Sequence, residues 1–150
     1  MSRTFHTDLD LGKQAEREMF VILAKREDIT GIKMTDWTKV GYDISYQLAD
    51  GTVKNMEVKS LAGGYPTGVV EVWCDDAKTK RPHWGDADVI AFKNRKEDKW
   101  YVYDALEVVN YLATVPDSSL TRANNGCKDD SGFIVKFKWA NGMPGYLGSI

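Results

Sequence analysis

The alternation of apolar and polar residues between positions 41 and 60 is the feature that most limits how this chain can fold. The apolar positions are Tyr42, Ile44, Tyr46 and Leu48, followed after a turn by Met56 and Val58. A period of two is typical of a strand with one buried face, and Asp50-Gly51 is a turn signal. The segment therefore predicts a β-hairpin with one apolar and one polar face.

Two turns are compatible with the sequence LADGT, and they give different registers. A loop of two residues would place Ile44 opposite Glu57 and mix the apolar and polar faces along the whole hairpin. A loop of three residues, ending in a left-handed Gly51, places Ile44 opposite Met56. We expect the second register, because it pairs apolar residues with apolar residues and brings Asp43 opposite Glu57.

Two opposed carboxylates raise the question of what balances their charge. Directly opposed Cβ atoms lie roughly 4.5–5.5 Å apart, so the two acids repel one another unless a cation lies between them. Oxygen ligands in this arrangement suit Mg²⁺ or Mn²⁺, and Lys59 points to the same face. The simpler alternative is a surface ion pair between Glu57 and Lys59, worth about 0–1 kcal/mol, and the short pattern alone leaves both open.

The rest of the chain predicts two helices and further strands. The first helix has an apolar stripe formed by Leu11, Ala15, Met19 and Leu23, and Thr7 or Asp8 can cap the N-terminus of this helix. Strands are expected at 68–74, 88–94, 99–105 and 132–139. A second helix is expected from Asp104, with Glu107 at capping-box spacing and a buried stripe of Ala105, Val108, Val109 and Leu112. The order predicts an α/β or α+β fold around a mixed sheet, in one domain over 1–150.

Composition excludes some classes of protein. The longest apolar run, Met19 to Ala24, is too short to cross a bilayer, and the N-terminus lacks the apolar core of a signal peptide. We therefore expect a cytoplasmic protein that does not contact a membrane.

The net charge of -2 conceals a local basic excess in KTKRPHWG and KNRKEDK. The expected nucleic-acid contacts are Lys78, Lys80, Arg81 and His83, with a solvated loop as the alternative.

The combination of Asp43 with the sequence Glu57-Val58-Lys59 resembles the PD-(D/E)XK nuclease superfamily, which includes many restriction endonucleases and archaeal Holliday-junction resolvases. The helix GKQAEREM resembles the first-helix signature of the resolvase-like branch, whose glutamate corresponds to Glu16. The similarity covers most of residues 9 to 113. One departure is Tyr42, which stands where the family name has a proline.

This resemblance implies a restriction endonuclease-like fold, with a mixed sheet flanked by helices, and a Mg²⁺-dependent endodeoxyribonuclease that hydrolyses phosphodiester bonds of DNA, with structure-selective cleavage as one form. By similarity, Asp43, Glu57 and the Val58 carbonyl would bind Mg²⁺ or Mn²⁺. Lys59 would orient or activate the water. Glu16, which we favour over Glu18, would bind the metal through a water molecule or assist a second ion. By analogy with related small nucleases, a homodimer is expected.

Two other functions remain open from the sequence. One is a nuclease-fold protein that binds nucleic acid or a protein partner without cleavage. The other is an interaction module, whose contact residues would be Trp37, Trp73, Trp84 and Trp100, although tryptophans at such spacing are more often in a core.

Further polar residues are expected to lie next to the acids and Lys59 of the nuclease site. They are Ser60, Gln47 and Glu71.

Overall fold

A computed structural model of the protein describes residues 5–35, 42–61, 68–72, 86–119, 121–122 and 133–150. The helices are α1 (Phe5–Ala24) and α2 (Ala105–Thr114). The strands are β1 (Ile29–Met34), β2 (Ile44–Leu48), β3 (Val53–Leu61), β4 (Gly68–Val72), β5 (Val89–Asn94), β6 (Lys99–Asp104), β7 (Thr121–Arg122), β8 (Phe133–Phe137) and β9 (Tyr146–Ser149).

A six-stranded sheet forms the centre of the molecule, in the order β1-β2-β3-β5-β6-β9. The pair β3–β5 is parallel, and the other pairs in this sheet are antiparallel. The mixed sheet and its two helices confirm the predicted fold class. One feature differs from the single mixed sheet that was expected: β4 pairs with β8 in a second sheet of order β4-β8-β7.

The register of the β2–β3 hairpin is the predicted one. Ile44 pairs with Met56, and the Leu48 N–H donates to the Thr52 carbonyl at 2.8 Å. Gly51 has a φ of +91°, the left-handed conformation that the three-residue turn requires. The hydrophobic alternation therefore fixed which residue faces which across this hairpin.

Helix α1 covers one face of the sheet at the hairpin end. Its predicted stripe residues Ala15, Met19 and Leu23 are fully buried in a cluster with Ile44 and Met56. The predicted start was wrong: the helix already includes Thr7 and Asp8, so neither residue is its cap. The stripe explains the packing, because one apolar helical face meets the apolar face of the hairpin.

Helix α2 covers the opposite face at β5 and β6. Asp104 caps it by accepting a hydrogen bond from the Glu107 N–H at 3.2 Å, as the spacing predicted. Leu112 and other residues of its apolar stripe pack in a core with Phe92 and Tyr103. The two helices therefore lie on opposite faces of one sheet, α1 at the hairpin end and α2 at β5 and β6.

Trp100 is 2% exposed and packs in the α1 cluster, so its proposed role in an interface was wrong. Trp37, Trp73 and Trp84 lie outside the described residues.

Strands β1 and β9 were not predicted; they pair with β2 and β6 at the two edges of the sheet. Both contain a glycine, which weakens the strand signal in a sequence.

Candidate active site

Asp43 lies immediately before β2, at the point where the regular pairing with β3 ends. Its N–H donates to the Met56 carbonyl at 2.9 Å, although Met56 already pairs with Ile44. Its Oδ2 accepts a hydrogen bond from the Val58 N–H at 2.8 Å. The side chain of Asp43 thus takes the place of a missing strand residue, which fixes the carboxylate against the backbone of β3.

Glu57 brings a second carboxyl group within hydrogen-bonding distance of Asp43. The Glu57 side chain is 14% exposed. Burial raises the pKa of Glu57 to about 8; the Lys59 ammonium opposes this rise, and the Asp43 charge adds to it. The Lys59 Nζ lies 3.5 Å from the Glu57 Oε1. The pair of acids therefore takes up a proton near neutral pH when no other cation is present.

Glu16 of α1 reaches Asp43 from the other side. The pKa of Glu16 is raised to about 7, chiefly by burial and further by the charge of Asp43 and a hydrogen bond with it. Burial also raises the pKa of Asp43, against the lowering effect of the Val58 N–H. Glu18, by contrast, faces away from Asp43, with its Oε2 3.7 Å from the Lys93 Nζ. Asp43 thus interacts with both Glu16 of α1 and Glu57 of β3.

The backbone of Val58 lies at the same edge of the sheet. Within a strand, the N–H and C=O of one residue point to the same side, and successive residues alternate. The Val58 N–H points to Asp43. Because β2 begins only at Ile44, we infer that the Val58 carbonyl also points to the edge where β2 is absent.

These groups meet the requirements of a small divalent ion, although they do not form a complete cage. Among the described residues, no three His, Cys, Asp or Glu side chains are arranged to hold a metal ion. Mg²⁺ usually keeps several waters and binds proteins through one or two carboxylates. Asp43, Glu57 and a backbone carbonyl supply such a partial set of oxygen ligands. The opposed, buried acids fit Mg²⁺ or Mn²⁺ because a cation removes their repulsion.

A basic residue that the sequence analysis did not assign contacts β3 near its C-terminal end. The Arg95 Nε donates a hydrogen bond to the Ser60 Oγ at 2.7 Å, from the turn that follows β5. The signal for it was the basic segment KNRKEDK, but only the parallel pairing of β3 with β5 brings the two residues together. Arg95 thus adds a guanidinium group near the end of β3.

Other predicted site residues have different outcomes. Gln47 pairs with Val53, four residues along β2 from Asp43 and about 13 Å away at the usual strand rise, so it does not line the carboxylate site. Lys78, Lys80, Arg81 and His83 lie outside the described residues, as does the side chain of Glu71.

One solved structure similar to this chain is that of a bacterial homing endonuclease, I-Ssp6803I. The TM-score is 0.51 at 15% sequence identity, and the alignment covers 86% of this chain and 76% of the other. The fold is nuclease-like. No protein-family model matches the sequence, and no curated protein matches it either. No helix in the described part of the chain is long and apolar enough to cross a membrane.

Proposed function

We propose that this protein is a Mg²⁺- or Mn²⁺-dependent endonuclease of the PD-(D/E)XK type, a single domain over 1–150 that hydrolyses phosphodiester bonds of DNA. The observation that carries the proposal is the convergence of Asp43 and Glu57, with Lys59 beside them, at the place where β2 begins and β3 continues past it. The nuclease-like fold supports it independently of the side chains.

The buried acids are the proposed metal ligands. Asp43 and Glu57 would hold the ion, with the Val58 carbonyl as a third oxygen. When bound, Mg²⁺ supplies charge that polarises the scissile phosphate and lowers the pKa of a bound water. Folding places both carboxylates in this position before any ligand arrives, because one accepts from the β3 backbone and the other belongs to β3 itself.

Lys59 has a different task from the acids. Its side chain is 30% exposed, so the ammonium group reaches both Glu57 and the solvent-facing side of the site. There it would donate hydrogen bonds to the attacking water and to a non-bridging phosphate oxygen. An ammonium in this position orients the water and stabilises the negative charge that develops on the phosphate during attack.

Glu16 would act on the water through its contact with Asp43. Beside the Asp43 carboxylate, Glu16 would hold a water of the bound metal or assist a second ion. Because Glu16 comes from α1 and not from the hairpin, the packing of α1 on the sheet sets its distance from the site.

Cleavage assays test the proposal directly. Supercoiled plasmid and branched DNA are incubated with the purified protein and Mg²⁺ or Mn²⁺, with EDTA as the blank. Asp43→Ala and Lys59→Ala are each expected to reduce the rate at least about 100-fold. The matched controls are Asp86→Ala and Lys25→Ala, both at exposed positions. If both site variants cleave at the wild-type rate, the assignment is wrong.

A calorimetric Mn²⁺ titration separates the enzyme from the non-cleaving alternative. We expect binding by the wild-type protein and its loss in Glu57→Ala. A folded wild-type protein that binds no Mn²⁺ would favour a nuclease-fold protein that only binds nucleic acid or a protein partner. The proposal includes a homodimer, in which two sites reach two strands, and sedimentation velocity with and without DNA tests that part.

A further inference from the structure

Lys93 of β5 is a buried lysine to which the proposed reaction gives no role. Its side chain is only 8% exposed. It points to the face of the sheet that α1 covers, because it pairs directly with Trp100 and follows Ala91 by two residues, and both belong to the α1 cluster. An ammonium group is costly to remove from water unless other groups compensate its charge. The groups that do so here show which elements Lys93 connects.

Three described groups surround the Lys93 ammonium. The Nζ donates a hydrogen bond to the Asp98 Oδ1 at 2.7 Å and lies 3.7 Å from the Glu18 Oε2 of α1. It also lies 5.3 Å from the centroid of the Trp100 ring, within the range of a cation–π interaction. Lys93 therefore connects helix α1 with β6 and with the turn between β5 and β6.

The turn between β5 and β6 is a firm support for this contact. The Asn94 Oδ1 accepts hydrogen bonds from the N–H groups of Lys96 and Glu97 at 3.1 and 3.2 Å. Asp98 has a φ of 52°, a left-handed conformation that aspartate adopts more readily than most residues. The carboxylate that accepts from Lys93 is therefore held by an ordered turn.

The same turn also contacts β3. The Arg95 Nε donates to the Ser60 Oγ at 2.7 Å. Ser60 directly follows Lys59 in the chain and pairs with Lys93 across the parallel strands. One turn is thus linked both to α1, which carries Glu16, and to the end of β3, which carries Lys59.

Glu16 and Glu18 lie on opposite flanks of α1. A helix turns about 100° per residue, so Glu16 lies about 60° to one side of the buried Met19 and Glu18 about 100° to the other. On its flank, Glu16 contacts Asp43. On the other flank, Glu18 forms the ion pair with Lys93. Polar contacts therefore hold the helix on both sides of its apolar stripe.

The apolar stripe by itself fixes the rotation of α1 only weakly. Burial of apolar surface is non-directional, so a small rotation that keeps the stripe covered costs little. A helix with its side chains has a radius of about 5–6 Å, so a rotation of about 10° moves the Glu16 carboxylate by about 1 Å. A displacement of that size in a catalytic group can reduce a rate about 100-fold. The ion pair on the opposite flank resists such a rotation.

Stability alone does not require a lysine at this position. Replacement of a buried ion pair by apolar residues of similar volume is often neutral or stabilising. An unbranched apolar side chain would extend the α1 cluster, to which Trp100 belongs. The two acids left behind would be hydrated, because the side chains of Glu18 and Asp98 are 34% and 90% exposed. What a cation adds at this position is a directional contact with α1.

We propose that Lys93 is a positioning residue of the candidate active site. Through Glu18 it holds the rotation of α1, and the rotation of α1 sets the distance of Glu16 from Asp43. The inference rests on the proposed function and adds to it a residue that acts through other side chains and does not touch the substrate.

The first test measures the cleavage of supercoiled plasmid by Lys93→Met in Mg²⁺ or Mn²⁺. We expect kcat to fall about 10–100-fold and KM for DNA to stay within about twofold of the wild-type value, since the buried side chain does not reach the substrate. Glu18→Gln is expected to have an effect of the same kind. Lys25→Met, at an exposed position, is the matched control and is expected to cleave at the wild-type rate. Circular dichroism and urea denaturation of each variant confirm that the fold is retained.

A double-mutant cycle with Glu16 separates positioning from a general structural effect. In Glu16→Gln the helix no longer presents a carboxylate, so the addition of Lys93→Met is expected to reduce kcat by less than about twofold further. An equal reduction by Lys93→Met in both backgrounds, cleavage by Lys93→Met at the wild-type rate, or a loss confined to KM would overturn the inference. Each of these results would leave the nuclease assignment intact.

Hydrogen exchange of the metal-free protein tests the contact without cleavage. In Lys93→Met and in Glu18→Gln, the amides of α1 are expected to exchange faster than in the wild type, while those of α2 do not change, because only α1 loses a contact. A wild-type protein that cleaves no DNA with either ion would count against the proposed function. Faster exchange confined to α1 would then still support the hold of Lys93 on this helix, and unchanged exchange in α1 would overturn it.

Discussion

Replacing Asp43 with asparagine separates the role of its charge from the role of its hydrogen bond. The asparagine oxygen can still accept from the Val58 N–H, which the aspartate now does at 2.8 Å. The substitution removes the negative charge of Asp43, which, after burial, contributes to the raised pKa values of Glu16 and Glu57. We expect Asp43→Asn to bind no Mn²⁺ and yet to be more stable than the wild type in EDTA at high pH.

The magnitude follows from the spacing of the acids. Two charges about 5 Å apart at an effective dielectric constant of about 20 repel by roughly 3 kcal/mol. The loss of attraction to Lys59, the weaker hydrogen bond to Val58 and screening by solvent reduce this value. We therefore expect Asp43→Asn to gain about 1–2 kcal/mol of unfolding free energy at pH 8.5. At pH 5.5 Glu16 and Glu57 carry protons in the metal-free protein, so the gain is expected to disappear.

The wild-type protein has a matching pH dependence. In the folded state the pKa values of Glu16 and Glu57 are about 7 and about 8, above their ordinary value of 4.5. Groups with raised pKa values stabilise the folded state below pH 4.5, and this contribution is lost as the pH rises through 7 and 8. At about 1.36 kcal/mol per pKa unit the two groups together correspond to about 5 kcal/mol between pH 5.5 and 8.5. Solvent screening of the partly exposed Glu16 lowers its share, so the wild type in EDTA is expected to lose about 3–5 kcal/mol.

Urea denaturation followed by tryptophan fluorescence measures both effects, at the two pH values and in EDTA. The exposed Asp86→Asn is the control and is expected to match the wild type. A loss of stability in Asp43→Asn that is equal at both pH values would refute the charge argument. Retention of full Mn²⁺ affinity would refute the assignment of Asp43 as a ligand.

Three further predictions concern the active site, the turn and the core. Lys59→Met is expected to reduce cleavage at least about 100-fold while calorimetry still detects Mn²⁺ binding; loss of Mn²⁺ binding together with cleavage would contradict the role given to the ammonium. Gly51→Ala is expected to cost about 1–2 kcal/mol in urea denaturation, because an alanine must adopt a φ of +91°, and an unchanged midpoint would contradict this. Leu112→Ala is expected to cost about 2–5 kcal/mol, because Leu112 is fully buried; a loss below 1 kcal/mol would show that the α2 core relaxes around the cavity.

Local patterns in the sequence predicted much of the fold. The period-two alternation from Tyr42 to Val58 fixed the hairpin register, since a shift by one residue would move every side chain to the wrong face. The apolar stripe of α1 and the helix cap at Asp104 could also be predicted from the sequence, because both depend on residues a few positions apart. The strands at the sheet edges were missed, because β1 and β9 have weak alternation and obtain their partners from distant parts of the chain.

For the candidate site, the sequence predicted the register of the hairpin and therefore the end of β3 at which Asp43 lies, because one of the two possible turns would mix apolar and polar faces. Only the tertiary structure decided that Glu16 reaches Asp43 while Glu18 reaches Lys93, since this depends on how α1 lies on the sheet. The same holds for Ser60 and Arg95, which the parallel pairing of β3 with β5 brings together across 35 positions. Burial also belongs to the tertiary structure, and it is burial that raises the pKa values of Asp43 and Glu57 above their ordinary values.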